Sequence, residues 1–496
     1  MNRPLRHIAV FCGLLVLSLL VRTTWIQFVE ADALANHEDN RRVKIAAFAN
    51  PRGNIIVGGS PITGSQESSG DFKYKRTFTD GAMYAPITGY ASQLIGTSLL
   101  EHNYDKVLSG RDDRLALDRA KSVLTGEKPR GGDVITTIDP KAQEAAYKGL
   151  TALKNAKGAV VAIDPRSGSI LAMASTPSYD PSVFAGLSDG AKFKALDTDA
   201  NKPLSNRALR ETYPPGSTFK ILTAAAALET GAVTDIDASS GAVSPYPLPL
   251  STTKISSDPG DAACDKVSMK RAMEISCNNV FLNAADKVGR DKMREIAEKF
   301  GLNSTFYDKG FGDLAAAKSL YPDKLDRPQT AMTGMGQGSL TSTPLQMAVV
   351  TAALANDGKV MQPHVVDEVR GPDLSTIEKN RPKQLSRAVS GATAKKVQDM
   401  MEATATVDDG SARKARIDGF TVGGKTGTAQ HGADVHEERP YAWFVSYAKQ
   451  SDGTSPVAVA VFVDPKDMTD ISRTQISGGK LGAPIAKAVM EAVLKK

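Results

Sequence analysis

The sequence contains no run of lysine or arginine, although its net charge is +6. Positive charge spread thinly along a chain does not build the basic groove that binds nucleic acid, so we expect no nucleic-acid partner. No repeat with a fixed period is visible, so we expect no repetitive architecture. The Gly-x-x-x-x-Gly-Lys-Ser/Thr pattern of a phosphate-binding loop is also missing, which excludes that kind of nucleotide site.

Long hydrophobic runs are scarce, and the only one lies at the beginning of the chain. Two arginines precede an apolar stretch that starts at Ile8 and reaches the ~20 residues needed to cross a bilayer. Basic residues before such a stretch stay in the cytoplasm. We therefore expect a cytoplasmic tail at 1–7, one transmembrane anchor at 8–29 in the cytoplasmic membrane, and an extracytoplasmic remainder. The alternative is a signal peptide cleaved at 31–33, although that site lies about ten residues beyond the apolar core.

The rest of the chain has the composition of a folded protein. Hydrophobic residues make up 41% and charged residues 23%, which argues against wholesale disorder. Residues 30–135 are polar and mixed, with a glycine- and serine-rich stretch at 64–70. We expect a small, extended, non-catalytic membrane-proximal domain at 30–135 and a larger domain at 136–496.

The larger domain is predicted to be α/β. A helix begins at Pro140 with Asp139 as its N-cap, and a final helix covers about 483–494. Strand-like patterns occur at 134–139, 158–163, 170–174, 441–447 and 457–463, and a further strand begins near Phe420. Strands near both ends with helices between them predict a mixed sheet that the C-terminus completes.

Ser217 and Lys220 are the first candidate functional residues, directly after a Pro-Pro-Gly turn. Residues at i and i+3 share a helix face, so the lysine lies beside the serine. A neutral amine can take the proton of a serine hydroxyl, which requires the lysine pKa to fall by about three units from ~10.4. The free N–H groups of a helix N-terminus can stabilise an oxyanion. Taken alone, this pair is more often a helix cap with a surface lysine.

Ser276 and Asn278 form a second candidate motif, between helices predicted at 268–275 and 279–288. The hydroxyl could pass a proton towards a leaving amine, and the side-chain amide could hold a substrate amide. Taken alone, Ser-x-Asn is more often a turn that caps a helix.

Lys425, Thr426, Gly427 and Thr428 form the third candidate motif, on a predicted strand. The lysine supplies positive charge for a terminal carboxylate and helps to lower the pKa of Lys220, while the threonines can donate hydrogen bonds to that carboxylate. The glycine removes a side chain, so a peptide could pair here as an extra strand. Taken alone, the motif is a glycine-rich turn before a strand.

The three motifs in this order are the signature of penicillin-binding proteins and class A β-lactamases. From about Asp133 to its end, the chain resembles the transpeptidase domain of class B penicillin-binding proteins. Five further segments match that family: 51–55, 205–208, 336–338, 343–346 and 443–444. The short membrane-proximal region and the Ser-Cys-Asn form of the second motif resemble the penicillin-binding protein A group of actinobacteria.

This resemblance implies a fold like that of penicillin-binding proteins and serine β-lactamases, and five catalytic side chains: Ser217, Lys220, Ser276, Asn278 and Lys425. The serine would be acylated, with Lys220 as its base and with the backbone N–H groups of Ser217 and Thr428 as the oxyanion hole. The substrate would be a peptidoglycan stem peptide ending in D-Ala-D-Ala, whose acyl group passes to an amine of a neighbouring strand. β-Lactams would trap the same serine, and no cofactor is needed.

The resemblance also bears on partners and on the cysteines. Arg52 and Gly53 are interpreted as structural, coupling the two domains, and they could also touch a glycosyltransferase of the SEDS kind. Of the three cysteines, Cys264 and Cys277 lie close together in the exported part. We therefore hypothesise a disulfide between them, worth ~3 kcal/mol for a loop of this order, with two buried thiols as the alternative.

Other functions stay open at this point. A class D β-lactamase or β-lactam sensor has a similar first motif, but the second motif and the chain length favour the penicillin-binding protein. A D,D-carboxypeptidase differs only in using water as the acceptor, and a wall-binding scaffold is disfavoured because all three motifs are intact. About a hundred residues before Asp133 are too few for a glycosyltransferase. His431 and His436 with Asp434 suggest a metal site only weakly, so we expect no metal.

Overall fold

The core of the molecule is a five-stranded antiparallel sheet. The computed structural model describes residues 3–35, 37, 40–186, 190–304, 315–432 and 438–495. In spatial order the strands of this sheet are Thr421–Ala429, Tyr441–Lys449, Val457–Asp464, Lys157–Ile163 and Ile170–Thr176. The C-terminal strands thus complete a sheet that the 157–176 hairpin begins, and the predicted α/β fold is confirmed. The expected mixture of parallel and antiparallel strands is not found in this sheet, because each of its pairings joins antiparallel neighbours.

Both faces of this sheet are covered by helices. Along the strand Lys157–Ile163, Ala159 and Val161 face the side packed by the helix Pro344–Ala355. Val160 and Ala162 face the opposite side, with the helices Pro140–Thr151 and Ala483–Leu494. Burial on both faces explains why these strands are almost continuously apolar.

The helices around the sheet have clear local causes. Asp139 caps the helix that Pro140 begins, its side chain accepting the N–H of Ala142 at 2.8 Å. The helices after this one are Gly190–Asp197, Arg207–Arg210, Lys220–Glu229, Asp261–Cys264, Met269–Ile275, Asn279–Val288, Arg290–Lys299, Arg327–Thr333, Pro344–Ala355, Gly391–Thr406 and Ala483–Leu494.

The membrane-proximal region contributes to a second five-stranded sheet. Its strands, in order, are Thr376–Lys379, Val366–Arg370, Asp133–Thr136, Ile55–Val57 and Ser60–Pro61. Asp133–Thr136 pairs parallel with Ile55–Val57 and antiparallel with Val366–Arg370. Two strands from 366–379 therefore lie in this sheet, and the predicted boundary at 135 falls within its central strand. The short helices of this region are Ala31–Ala35, Arg41–Ala47, Gly81–Thr88, Leu99–Asn103, Asp105–Leu108 and Ala116–Thr125.

Arg52 and Gly53 hold the membrane-proximal region together. The buried guanidinium of Arg52 pairs with Glu101 at 2.9 Å and Asp105 at 2.8 Å. A Cβ on Gly53 would stand 1.8 Å from the carbonyl oxygen of Gly132, so only glycine fits there. These contacts lie inside the membrane-proximal region, so the expected coupling of the two domains by Arg52 and Gly53 stays a prediction, and the guanidinium is buried.

The N-terminal helix Arg3–Phe28 stands apart from the rest of the fold. It has 26 residues, none of them buried, and a mean hydropathy of 2.0 in its most apolar window. At 1.5 Å per residue it is long enough to cross a ~30 Å hydrocarbon layer. A signal sequence near an N-terminus would have the same properties.

Candidate active site

Ser217 lies on a turn that glycines shape. It belongs to the 3₁₀ turn Gly216–Phe219, which runs directly into the helix Lys220–Glu229. Gly216 has φ of +52° and donates its N–H to the carbonyl of Gly336 at 3.0 Å. N–H groups in the first turn of a helix have no acceptor within the helix. Ser217 therefore presents both a hydroxyl and an N–H for which the described residues offer no hydrogen-bond acceptor.

A neighbouring strand and an internal hydrogen bond hold residues 214–219 in place; we call this segment the nucleophile turn after its candidate residue Ser217. The indole of Trp443, on the adjacent strand Tyr441–Lys449, donates to the carbonyl of Pro214 at 2.9 Å. The hydroxyl of Thr218 donates to the carbonyl of Pro215 at 2.7 Å. Trp443 is fully buried, so this bond is protected from water. The sequence showed Trp443 only as a family match; its apolar neighbours gave no sign of this bond.

Lys220 points into a fully buried site and contacts the second motif. Its Nζ donates to the carbonyl of Ser276 at 2.8 Å and to Oδ1 of Asn278 at 2.8 Å, with Oγ of Ser276 at 3.4 Å. Within the described part of the chain, no hydrogen bond joins this amine to the Ser217 hydroxyl. Catalytic hydrogen bonds are often long before substrate binds, so the absence of this hydrogen bond is compatible with Lys220 as a base.

Lys425 also contacts the hydroxyl of Ser276. Its strand, Thr421–Ala429, forms one edge of the sheet. The Nζ of Lys425 donates to Oγ of Ser276 at 2.7 Å and to the carbonyl of Thr426 at 2.9 Å. Ser276 Oγ is thus a shared contact of both lysines, and the three sequence motifs meet at one point.

Burial shifts the titration of both amines. Burial, followed by the positive charge of Lys425, holds the pKa of Lys220 well below its usual range. Burial lowers the pKa of Lys425 to about 7. Both side chains are fully buried, so the neutral amine that the sequence argument requires is physically reasonable near neutral pH.

The second motif is held in an unusual backbone conformation. Ser276 ends the helix Met269–Ile275 with φ of +69°, in the left-handed region that non-glycine residues seldom adopt. This conformation turns both its carbonyl and its hydroxyl towards Lys220. The sequence predicted the helix end but contained no glycine or asparagine at position 276 to indicate this conformation.

Asn278 is already engaged on both sides of its amide. Its Oδ1 accepts from Lys220, and its Nδ2 donates to the carbonyl of Ser256 at 3.0 Å. Its backbone N–H donates to Oγ of Ser257 at 3.0 Å. The contact with 256–257 was not foreseen, because the Ser-Asp-Pro-Gly sequence at 257–260 signals a turn but not what the turn touches.

Cys277 lies between the two polar residues and is bonded to Cys264, with an S–S distance of 2.03 Å. Both half-cystines are fully buried. The disulfide therefore attaches the Ser276–Asn278 turn to the short helix Asp261–Cys264.

Gly427 has a packing reason to be glycine. A Cβ there would lie 2.9 Å from both Thr218 Cγ2 and Trp443 Cβ, and 3.1 Å from the carbonyl oxygen of Pro215. The absence of a side chain allows the edge strand to lie directly against the nucleophile turn. This adds to the predicted reason, which was room for a substrate strand. Thr426 and Thr428, on either side, are half-buried.

No group of three or more potential metal ligands occurs among the described residues. His431 stacks on Tyr441 with ring centroids 3.7 Å apart, and its Nε2 lies 2.8 Å from the carbonyl of Arg439. The other two residues of the weak metal pattern, Asp434 and His436, lie outside the described residues.

Comparison with known families agrees with this geometry. Residues 158–491 match the family model of the penicillin binding protein transpeptidase domain. Residues 52–134 match that of the penicillin binding protein A dimerisation domain.

Individual relatives match over the full length. The chain is 39% identical over 507 residues to the peptidoglycan D,D-transpeptidase PbpA of Mycolicibacterium smegmatis, covering 100% of both chains. It is 37% identical over 502 residues to PbpA of Mycobacterium tuberculosis H37Rv, covering 100% of this chain and 99% of that one.

Solved structures show the same similarity. The ceftriaxone acyl-enzyme of penicillin-binding protein A from M. tuberculosis superimposes with a TM-score of 0.83 at 35% identity, covering 91% of this chain and 100% of that one. Its penicillin G acyl-enzyme gives 0.79 at 35% identity, covering 90% and 100%. The chain belongs to the penicillin-binding protein transpeptidase family, and the predicted resemblance to penicillin-binding protein A is confirmed.

Proposed function

We propose that this chain is a peptidoglycan D,D-transpeptidase that is acylated at Ser217, by D-Ala-D-Ala stem peptides and by β-lactams. The observation that carries the proposal is the pair of buried lysines on either side of Ser276 Oγ, next to the nucleophile turn. Nothing about a passive wall-binding scaffold requires two fully buried amines, since burial of charge is costly.

The hydrogen bonds of Lys220 fit a neutral amine. Such an amine has two N–H groups and one lone pair. The carbonyl of Ser276 and Oδ1 of Asn278, each at 2.8 Å, are good acceptors for two N–H groups. The lone pair is then left to accept the proton of Ser217 when a substrate carbonyl is attacked. Ser276, in contact with both lysines, is placed to pass that proton to the departing D-Ala amine.

Two backbone N–H groups are proposed to bind the oxyanion, and the edge strand of the sheet is proposed to bind the substrate peptide. The N–H of Ser217 and the N–H of Thr428 form the proposed oxyanion hole, which the close packing at Gly427 supports. The strand Thr421–Ala429 is an edge, so a stem peptide can add to it as a further strand. Lys425, Thr426 and Thr428 would then receive the terminal carboxylate.

The chain is proposed to work outside the cell on a membrane anchor. The exposed apolar helix Arg3–Phe28 supports an uncleaved anchor at 8–29 with a cytoplasmic tail at 1–7. The domain division at 30–135 and 136–496 and a SEDS-type glycosyltransferase partner are part of the same proposal. A membrane fraction containing the chain at full mass supports the anchor, whereas a mature N-terminus near residue 34 shows a cleaved signal peptide.

The test of the acylation chemistry is intact-mass spectrometry of the full chain in detergent after brief exposure to benzylpenicillin. We expect an adduct of one intact penicillin that persists for many minutes. Ser217→Ala should show no adduct, whereas Ser251→Ala, which changes an exposed serine, should behave like the parent chain.

The other outcomes identify the alternatives. Rapid loss of the drug with no adduct indicates a β-lactamase. No adduct and no loss of drug in a folded chain indicates a scaffold. An adduct that survives in Ser217→Ala shows that another residue is the nucleophile.

A further inference from the structure

A short segment outside the three motifs forms one rim of the active site. Asn278 binds this segment twice, through Nδ2 to the carbonyl of Ser256 at 3.0 Å and through its N–H to Oγ of Ser257 at 3.0 Å. Asp261 also holds this segment, because its carboxylate accepts the N–H of Ser257 at 3.1 Å. The next residue, Asp258, is therefore carried to the active site on a fixed piece of backbone.

Asp258 is an unusual carboxylate for such a position. It is exposed, and among the described residues it makes no hydrogen bond and no salt bridge. Its negative charge nevertheless acts on both buried lysines, opposing the lowered pKa of Lys220 and of Lys425. A carboxylate that is exposed, has no partner among the described residues and directly follows the segment bound by Asn278 is available to a ligand.

The second half of the reaction brings a cation to this site. The acceptor is a primary amine, and at neutral pH such amines carry a proton. Lys220 and Lys425 oppose its approach whenever either is protonated. A fixed negative charge at the rim offsets this repulsion and concentrates cations there.

We propose that Asp258 is the acceptor-recognition residue, which binds the cationic amine of the incoming strand and favours amines that carry no free carboxylate beside them. This inference rests on the proposed function. In the step it serves, the bound ammonium group first loses one proton to solvent; the resulting amine nitrogen then forms an amide with the acyl carbon, the ester bond to Ser217 Oγ breaks, and a second proton passes from the nitrogen to Ser217 Oγ. The preference arises because a carboxylate next to the amine would be repelled by Asp258.

The test uses the full chain in detergent with a D-alanyl thioester as acyl donor and two small acceptors at pH 7. Glycinamide presents an ammonium group without a carboxylate, whereas glycine carries both charges. The measured quantity is the ratio of glycinamide product to glycine product, from which the rate of acylation cancels. Asp258→Asn should lower this ratio about fivefold, which corresponds to ~1 kcal/mol at 1.36 kcal/mol per factor of ten.

A control variant tests whether removing any exposed carboxylate changes the product ratio. Asp237→Asn removes an exposed carboxylate whose only described ion pair is with Lys270, at 3.7 Å, and should leave the ratio unchanged. Asp258→Glu should retain most of the preference, because it retains the charge.

The outcomes separate this inference from the proposed function. A ratio that Asp258→Asn leaves within about 1.5-fold overturns the role of Asp258, as does an equal loss of both products. No consumption of thioester by the parent chain would instead contradict the proposed function.

Discussion

Replacing Lys425 by methionine should raise the pH at which Ser217 becomes reactive. Both lysine nitrogens contact Ser276 Oγ, at 3.4 Å for Lys220 and 2.7 Å for Lys425, so they lie within about 6 Å of each other. Two unit charges ~6 Å apart at an effective dielectric constant of ~20 repel by about 2.8 kcal/mol. Methionine fills much of the same buried space without the charge. The pKa of Lys220 should therefore rise in Lys425→Met, because one of the two causes that lower it is removed.

The assay is the second-order rate constant for acylation by a fluorescent penicillin, measured between pH 5 and pH 10. In the proposed mechanism acylation needs neutral Lys220, so the rate should increase with pH through the pKa of this amine. In Lys425→Met that increase should occur at a higher pH than in the parent chain. The maximum rate should also fall, because the variant lacks the positive charge that receives the carboxylate of the drug.

The prediction concerns the pH at which the acylation rate increases, rather than the maximum rate. Lys466→Met removes an exposed lysine that has no described hydrogen bond to Ser276 and serves as the control, with an unchanged pH profile. If the increase in Lys425→Met stays within 0.3 pH units of the parent chain, the charge of Lys425 does not act on Lys220 and the reasoning is wrong.

Three further predictions test the packing of the site. Gly427→Ala places a methyl group 2.9 Å from two neighbouring side chains; acylation should slow at least tenfold and unfolding free energy should fall by about 1–3 kcal/mol. Gly190→Ala, where nothing lies within 4 Å, is its control, and a Gly427→Ala rate within twofold of the parent would contradict the packing argument. Removing the disulfide by Cys264→Ala with Cys277→Ala should cost about 3 kcal/mol in denaturant unfolding; a loss below 0.5 kcal/mol would show that the surrounding packing alone fixes the turn. Trp443→Phe leaves the carbonyl of Pro214 without its hydrogen bond and should lower the free energy of unfolding by about 1–3 kcal/mol. An unchanged temperature of thermal unfolding would contradict this prediction.

Local patterns predicted most elements around the site. The helix Asn279–Val288 has the predicted bounds, because Gly289 ends it. The predicted strands at 441–447 and 457–463 lie within Tyr441–Lys449 and Val457–Asp464. These elements are defined by features a few residues apart, such as a cap, a terminal glycine or an apolar run, and such features are visible in the sequence.

Non-local contacts could not be predicted in the same way. The strand Val366–Arg370 pairs with Asp133–Thr136, more than two hundred residues earlier, and no short-range pattern encodes that register. The order of the three motifs predicted that they would meet, but not that Asp258 would accompany them. That residue reaches the site because Asn278 binds the two residues before it, and turn-forming sequences do not specify their tertiary partners.

The second motif explains how the fold maintains a costly arrangement. A left-handed serine costs roughly 1–2 kcal/mol, and two fully buried lysines disfavour their own charged forms. Such conformations persist where the surrounding structure over-determines them. Here each residue of the motif is fixed by a different bond: Ser276 by the two lysines, Cys277 by its disulfide, and Asn278 by the 256–257 segment. Because these bonds come from four separate parts of the chain, the lowered pKa of Lys220 is a property of the folded domain rather than of any one motif.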